Sequence, residues 1–319
     1  MRNKALDQLR FLAAIFVVLI HSPLPGTAEV FIEALARIAV PLFFMISGYY
    51  ASNNNRATLI RKMKKTAVML GIAVALYFAW EMLWSIYHGT TAEKLQLYFS
   101  IQTLAETIVL NTGVLLGHLW FLLALLYCYC IYAFCMQRAS LTVRLGIAMT
   151  LLAGFFLVKE LFKWNGVSDP VYYVRNFLLM GLPFFLLGEA IKQKKEWLLS
   201  VKPVLLAIVA IVGLGAAITE RLYVGCCDLY FGTVLTVVAI FILVQRPTAR
   251  ASCWLAKLGK QYAGDIYIIH VMLLSGLNMV ASITGILSLD LFLIMRPVVL
   301  VVLCILLSGF KNNLLKKKH

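Results

Sequence analysis

Residues 203–220 read PVLLAIVAIVGLGAAITE, an apolar stretch with no charge before its last residue. About twenty such residues are needed for a helix to cross the hydrocarbon core of a bilayer. Runs of similar length recur along the chain, and 62% of its 319 residues are hydrophobic while only 13% are charged. A spanning chain must satisfy its backbone hydrogen bonds internally, and the alternating pattern of barrel strands does not occur. The sequence therefore predicts an all-α, polytopic membrane helix bundle.

The distribution of positive charge predicts the topology. The predicted spans cover residues 6–22, 30–51, 66–87, 117–136, 143–160, 171–191, 203–220, 228–244, 263–284 and 289–310. With the N-terminus inside, and with charges near the end of a span assigned to the nearer side, 22 of the 29 Lys and Arg residues fall on the inner side and five on the outer side, as positive-inside orientation requires. An even number of spans also keeps Lys317 and Lys318 inside. We predict ten helices in a bacterial cytoplasmic membrane, both termini in the cytoplasm and no nucleic-acid partner.

The chain shows no linker or low-complexity tract, so residues 1–319 are predicted to form a single transmembrane domain. The run at 6–22 is predicted to be a retained helix rather than a secretory signal, because Arg10 interrupts it. The longest outer segment, 90–117, is predicted to be an outer helix or a partly re-entrant cap. The cysteines show no metal-ligand spacing with histidine, so no metal site is expected.

Two ionisable side chains in the first span stand out, because such groups are costly in hydrocarbon and usually face the bundle interior. Arg10 and His21 are eleven positions apart, which places them on nearly the same helix face and roughly 16 Å apart along the axis. The alternative is that Arg10 reaches the inner interface and His21 merely ends the helix.

Other polar residues in or near the spans have ordinary explanations too. Glu33 and Arg37 are spaced for an i, i+4 ion pair. His270 is equally well explained as a buried histidine of the core, and His118 begins a span beside Trp120, a typical interfacial anchor. The remaining candidates are Glu81, Glu189, Asp265 and Tyr267.

Four short motifs, in order, carry a resemblance to a known family. They are the Arg-(ten residues)-His pattern of Arg10 and His21, FFMISGY at 43–49, HLWFL at 118–122 and IYIIH at 266–270. Together they resemble the membrane-bound acyltransferase-3 family, over essentially the whole chain. The resemblance implies transfer of an acyl group, often acetyl from acetyl-CoA, to sugars or other extracytoplasmic acceptors.

Two departures from the family pattern affect this reading. The basic Arg-x-x-Arg entry to the third helix is Arg61-Lys62-Met63-Lys64 here, which keeps the charge but not the second guanidinium fork. Asp265 stands where an apolar residue is expected, and the sequence offers no reason for it.

The resemblance leads to a hypothesis for the site. Acyl transfer needs a base near the acceptor, a positive clamp for the donor and exclusion of water. We assign His21, assisted by His118 or by a carboxylate behind it, as the base. The other assignments are Arg10, Arg61 and Lys64 as the acyl-CoA clamp, and Ser47, Gly48, Glu33, Arg37, Trp120, Tyr267 and His270 as residues that line the channel or orient substrate. Acyl-CoA is expected as co-substrate rather than as a resident cofactor.

A second class of function, transport, remains open. A similar membrane module is fused to a racemase domain in vancomycin-resistance serine racemases, and Arg175-Asn176 and GLPFFLLG at 181–188 look close to that branch. The alternative function is therefore serine transport, with Arg37 bound to a carboxylate and Glu33 or Glu81 to an ammonium group. A fused or associated soluble domain is a further expected partner.

Overall fold

The computed structural model describes residues 3–111, 117–166, 171–246 and 252–316. Within these ranges the chain is helical and has no strand, which confirms the all-α class. Lys317, Lys318 and the end of the outer apolar segment at residues 112–116 lie outside the described residues. The α-helices are α1 (Lys4–His21), α2 (Ala28–Ala36), α3 (Ala39–Tyr49), α4 (Arg56–His88), α5 (Thr91–Tyr98), α6 (Ile101–Ala105), α7 (Trp120–Ile131), α8 (Leu141–Trp164), α9 (Val171–Val174), α10 (Leu182–Gln193), α11 (Lys195–Ser200), α12 (Pro203–Val224), α13 (Phe231–Leu243), α14 (Cys253–Ile283) and α15 (Asp290–Lys316).

Seven helical segments of the described chain are long and apolar enough to cross a membrane, which makes this a polytopic integral membrane protein. They are Ala28–Tyr49, Arg56–His88, Gly117–Met136, Leu141–Trp164, Pro203–Val224, Cys253–Ile283 and Asp290–Leu314. These segments correspond to seven of the ten predicted spans. The count of ten and the cytoplasmic termini stay predictions.

The three remaining predicted spans are helical but shorter, more charged or broken. The first corresponds to the 18-residue α1, which carries Lys4, Asp7 and Arg10. The span predicted at 228–244 is the 13-residue α13. The span predicted at 171–191 is interrupted at Asn176, whose side-chain oxygen accepts from two backbone N–H groups at 2.9 Å and starts a new helix. Asparagine readily caps a helix in this way, so one continuous helix was the wrong expectation for 171–191.

The chain divides into two compact units. The first unit comprises Met1–Phe43 and Lys194–His319, and the second comprises Phe44–Gln193. The single domain predicted for residues 1–319 stays a prediction.

In the first unit, helices approach each other closely where one of them has a glycine. A Cβ atom at Gly259 of α14 would lie 1.8 Å from the carbonyl oxygen of Asp7 in α1. One at Gly232 of α13 would lie 2.2 Å from the carbonyl oxygen of Gly213 in α12. Because lipid is as apolar as a leucine side chain, close backbone packing at small residues is a main source of helix association in membranes.

The second unit has a reciprocal crossing of the same kind between α3 and α10. A Cβ atom at Gly48 would lie 1.8 Å from the carbonyl oxygen of Phe185, and one at Gly188 would lie 2.0 Å from that of Met45. Each helix therefore contributes one glycine and one carbonyl to the contact, and the pairing of early with late residues makes the crossing antiparallel. Gly48 is thus required for helix packing, whatever its role toward substrate.

Candidate active site

The first unit brings two histidines together. His21 is the last residue of α1 and is exposed, whereas His270 lies in α14 and is fully buried. Their ring centroids are 5.0 Å apart and the ring planes are inclined by 56°. The sequence predicted both residues as members of the site but did not predict that they are in contact.

The hydrogen bonds of His270 fix which ring nitrogen carries its proton. Nδ1 lies 2.9 Å from the carbonyl oxygen of Tyr267 and 3.0 Å from that of Ile266. Carbonyl oxygens only accept, so the proton resides on Nδ1 and Nε2 is the basic nitrogen of the neutral ring. His270 is therefore oriented by its own helix, in the manner of histidines that act through one nitrogen.

Tyr267 completes this group from the same helix. Its buried ring lies 6.3 Å from the ring of His270 and 6.4 Å, edge to face, from the ring of Phe43. Such aromatic contacts restrict the rings and exclude water. An exposed histidine against a buried, oriented one suits a proton transfer at the edge of an apolar region.

Arg296 of α15 ties down the turn that follows His21. Its Nε donates to Ser22 Oγ at 2.8 Å, Nη1 to Asn278 Oδ1 at 3.4 Å, and Nη2 to the Pro23 carbonyl oxygen at 3.5 Å. Ser22 is fully buried. Sequence reasoning placed Arg296 within a span but gave it no role, although a charge inside an apolar run is the signal that marks a site.

Arg10 lies on the same helix as His21, near the opposite end. Its Nη1 is 3.8 Å from Oδ1 of Asp7, and the two side chains are 25% and 5% exposed. Asp7 therefore orients the guanidinium and offsets part of its charge, while the exposed part stays accessible to an anion.

The two basic residues predicted to complete the clamp belong to the second unit. Arg61 and Lys64 are exposed, one turn apart on α4, and Arg61 donates to Thr58 Oγ1 at 3.1 Å. The intervening Lys62 faces differently, because its ammonium group donates to the carbonyl oxygen of Tyr50. Arg61 and Lys64 are thus the cations of this stretch that can meet an anion, and a clamp shared with Arg10 stays a prediction.

His118 also belongs to the second unit, where its ring lies 4.7 Å from that of Tyr77. Trp120 is buried against Phe44 at 6.3 Å, and the guanidinium carbon of Arg175 lies 5.7 Å from its ring centroid. This distance is within the range of a cation–π contact. Ser47 is half-buried on α3. The assistance of His118 to His21 stays a prediction.

Glu33 and Arg37 form the predicted ion pair, within a larger network of the first unit. Arg37 Nη2 lies 2.6 Å from Glu33 Oε1, and Nη1 lies 3.1 Å from Oδ1 of Asp228. Arg221 donates to the other oxygen of Glu33, and Cys226 Sγ lies 2.7 Å from Oε1. The sequence did not predict Arg221, Cys226 and Asp228 as members of this network, because they come from the end of α12 and the loop that follows it.

Comparison with known proteins identifies the family to which this site belongs. A sequence model described as an acyltransferase domain, that of the acyltransferase-3 family, matches residues 3–310. The chain belongs to the acyltransferase-3 family. The resemblance drawn from the four motifs is thereby confirmed, and with it the assignment to an enzyme family that transfers acyl groups.

Two curated relatives point to the racemase branch. The chain is 29% identical to an amino-acid racemase of Enterococcus faecalis over 209 residues, which cover 59% of this chain and 28% of the relative. It is 27% identical to a serine/alanine racemase of Enterococcus gallinarum over 247 residues, which cover 67% of this chain and 32% of the relative. The chain thus spans less than a third of each relative's length. No solved structure matches.

The structure explains one departure of this acyltransferase-3 chain from the family pattern. Asp265 accepts a hydrogen bond from the ammonium group of Lys311, which joins α14 to α15 at a partly exposed position. An exposed pair of this kind contributes little stability, about 0–1 kcal/mol. Asp265 is therefore a surface partner of Lys311 and not a member of the histidine group.

The network around Glu33 predicts unusual chemistry for Cys226, which lies in the loop after α12. Partial burial and the neighbouring Glu33 carboxylate raise the pKa of the Cys226 thiol to about 11, against the opposing effect of Arg37. Only the thiolate reacts with alkylating reagents. In a variant with Cys226 as its single cysteine, we expect the alkylation rate to rise through pH 11, and at pH 8 to be about 100-fold below that of a thiol of pKa 9.

The matched control is Glu33→Gln, which removes a carboxylate that disfavours the thiolate and should speed alkylation at pH 8. A rate that levels off below pH 9 would contradict this account of the loop.

Proposed function

We propose that this chain transfers an acyl group, in the simplest case acetyl, from cytoplasmic acyl-CoA to an extracytoplasmic hydroxyl acceptor such as a cell-surface glycan. The single observation that carries the proposal is the contact of His21 with the oriented His270, on a helix whose other end presents Arg10. The bacterial cytoplasmic membrane is the compartment that supplies acyl-CoA on one side and glycan on the other.

The histidines perform the proton transfer in this scheme. His21 accepts the proton of the acceptor hydroxyl as its oxygen attacks the thioester carbonyl carbon, and His270 holds the ring of His21 from the buried side. The new C–O bond forms, the C–S bond breaks, and the departing CoA thiolate takes up a proton. General-base assistance of this kind contributes about 10²–10⁴-fold to rate.

Arg10 supplies positive charge toward the cytoplasmic donor, roughly 16 Å from His21 along α1. Arg61 and Lys64, exposed on α4, are proposed to add to that charge. Guanidinium groups suit phosphate because they donate two parallel hydrogen bonds. The vertical separation of cation and base thus matches a donor that enters from inside and an acceptor that arrives from outside.

The test of the donor site is acetyl-CoA binding by the purified protein in nanodiscs. We expect Arg10→Ala to weaken binding about 10- to 100-fold, the effect of losing a charge-assisted contact. S-acetylpantetheine, which lacks the nucleotide phosphates, should bind weakly to wild type and be insensitive to Arg10→Ala.

The control variant for donor binding is Lys163→Ala, which removes an exposed cation predicted to lie outside. Unchanged acetyl-CoA affinity in folded Arg10→Ala protein would remove Arg10 from the donor site.

Serine transport is the second candidate, because the curated relatives are amino-acid and serine/alanine racemases. The structure weakens one part of that hypothesis. Arg37 already contacts Glu33 and Asp228, so its charge is offset within the chain. A well-folded protein that binds no acetyl-CoA but takes serine into liposomes would favour transport.

A further inference from the structure

Arg296 differs from three other arginines, Arg10 and Arg37 of the same unit and Arg144 of α8, in the charge of its partners. Arg10, Arg37 and Arg144 each have a carboxylate oxygen within 3.8 Å. Arg296 contacts Ser22 Oγ, Asn278 Oδ1 and the Pro23 carbonyl oxygen, all of which are neutral. Among the residues that the structure describes, no carboxylate pairs with it.

An arginine inside an apolar helix without a countercharge is costly, and such residues generally mark a substrate or ion site. Arg296 lies in the span Asp290–Leu314 and is partly exposed. Its three contacts use one N–H each on Nε, Nη1 and Nη2, which leaves one N–H on each terminal nitrogen. Two such donors can bind the two oxygens of one carboxylate.

The position of Arg296 connects this charge to the histidine group. Its strongest contact is with Ser22, the residue directly after His21, although the two partners are 274 residues apart in sequence. Asn278 of α14 accepts from Arg296 through its oxygen, so its NH₂ group adds neutral donors beside the guanidinium. A molecule held here lies next to the proposed base.

We propose that the acceptor is an anion, a hydroxylated carboxylate whose charged group binds Arg296 and Asn278 while its hydroxyl faces His21. A single uncompensated positive charge matches a monoanion better than a dianionic phosphate. This inference names the acceptor class for the proposed function and rests on it.

Equilibrium binding to purified protein in nanodiscs tests the charge preference directly. The probes are two matched pairs, D-glucuronate with D-glucose and L-serine with L-serinamide, in which only one member carries a carboxylate. In at least one pair, wild type should bind the member that carries the carboxylate 10-fold or more tightly than the member that lacks it. Arg296→Gln should reduce that ratio to about one, and Arg296→Lys should keep part of it.

Two further variants test whether the carboxylate preference comes from Arg296 itself, and not from positive charge in general or from acyl transfer. Lys311→Gln removes another cation of α15 and should keep the preference. His21→Ala should also keep the preference in binding, while acetyl transfer is lost.

Each outcome bears on one of the two proposals. Absence of a carboxylate preference in both pairs at wild type, or its survival in Arg296→Gln, overturns the anionic-acceptor inference. Carboxylate binding that depends on Arg296, together with no acetyl transfer to any probe, refutes the proposed function and leaves the anion site standing. Acetyl transfer to a probe, without any effect of Arg296→Gln on acceptor preference, supports the proposed function and overturns the anionic-acceptor inference.

Discussion

Gly48→Ala should prevent the second unit from packing, with a loss of stability of about 3 kcal/mol or more. The added Cβ atom would lie 1.8 Å from the Phe185 carbonyl oxygen, and backbone cannot rotate away as a side chain can. Gly188→Ala should have the same effect, because its Cβ would lie 2.0 Å from the carbonyl oxygen of Met45. The measurement is the monodisperse yield and the thermal midpoint in detergent.

The chain offers matched controls for this prediction. Gly71 of α4 and Gly146 of α8 are helical glycines of the same unit, and a Cβ atom added to either would have nothing within 4 Å. Alanine there should be neutral or stabilising by up to about 1 kcal/mol, since alanine favours helix more than glycine does. If Gly48→Ala and Gly71→Ala had equal midpoints, the antiparallel crossing of α3 and α10 would be wrong.

Glu189→Leu should also be strongly destabilising, by about 3–5 kcal/mol, because it leaves a buried cation without its partner. Glu189 is fully buried, and its Oε2 lies 3.3 Å from Nε of Arg144. The other oxygen accepts from Tyr132 at 3.2 Å and from Ser52 at 3.4 Å. Chemical unfolding of the variant in mixed micelles measures the loss.

A double-mutant cycle separates the interaction energy of Arg144 with Glu189 from the cost of lost packing. Arg144→Met with Glu189→Leu should recover much of the stability, because apolar residues of similar size often replace a buried ion pair without net cost. The partly exposed pair of Glu81 and Lys94 is the comparison, with an expected cost below about 1 kcal/mol on Glu81→Gln. Additive effects of the two buried substitutions would contradict the coupling.

Local sequence patterns were sufficient for those features that depend on one helix. Apolar runs predicted the membrane helices, helical periodicity placed Arg10 and His21 on one stripe, and the i, i+4 spacing predicted the ion pair of Glu33 with Arg37. Each of these depends only on helix geometry and on the cost of charge in hydrocarbon.

Contacts between helices distant in sequence were not predictable in the same way. The contact of His21 with His270, the bond of Arg296 to Ser22 and the network around Glu189 depend on which helices are neighbours. One sequence read alone carries no such information. The motifs identified most of the residues in these contacts, but which residues pair with each other is determined by the packing of the helices.

Smaller features had local signals that are visible in hindsight. Asn176 precedes a new helix and caps it, so an asparagine inside an apolar run marks the break. Asp7, three positions before Arg10, has the spacing of a helical ion pair and meets it.

The most direct test of the proposed function is acetyl transfer across a sealed membrane. Radiolabelled acetyl-CoA is enclosed in proteoliposomes with the protein, and D-glucuronate or L-serine is supplied only outside. We expect acetylated probe to appear outside, with release of CoA inside, and the rate to fall at least about 100-fold in folded His21→Ala protein. Equal transfer by wild type and His21→Ala would contradict the role of His21, and absence of transfer by folded wild type that also binds no acetyl-CoA would contradict acyl transfer itself.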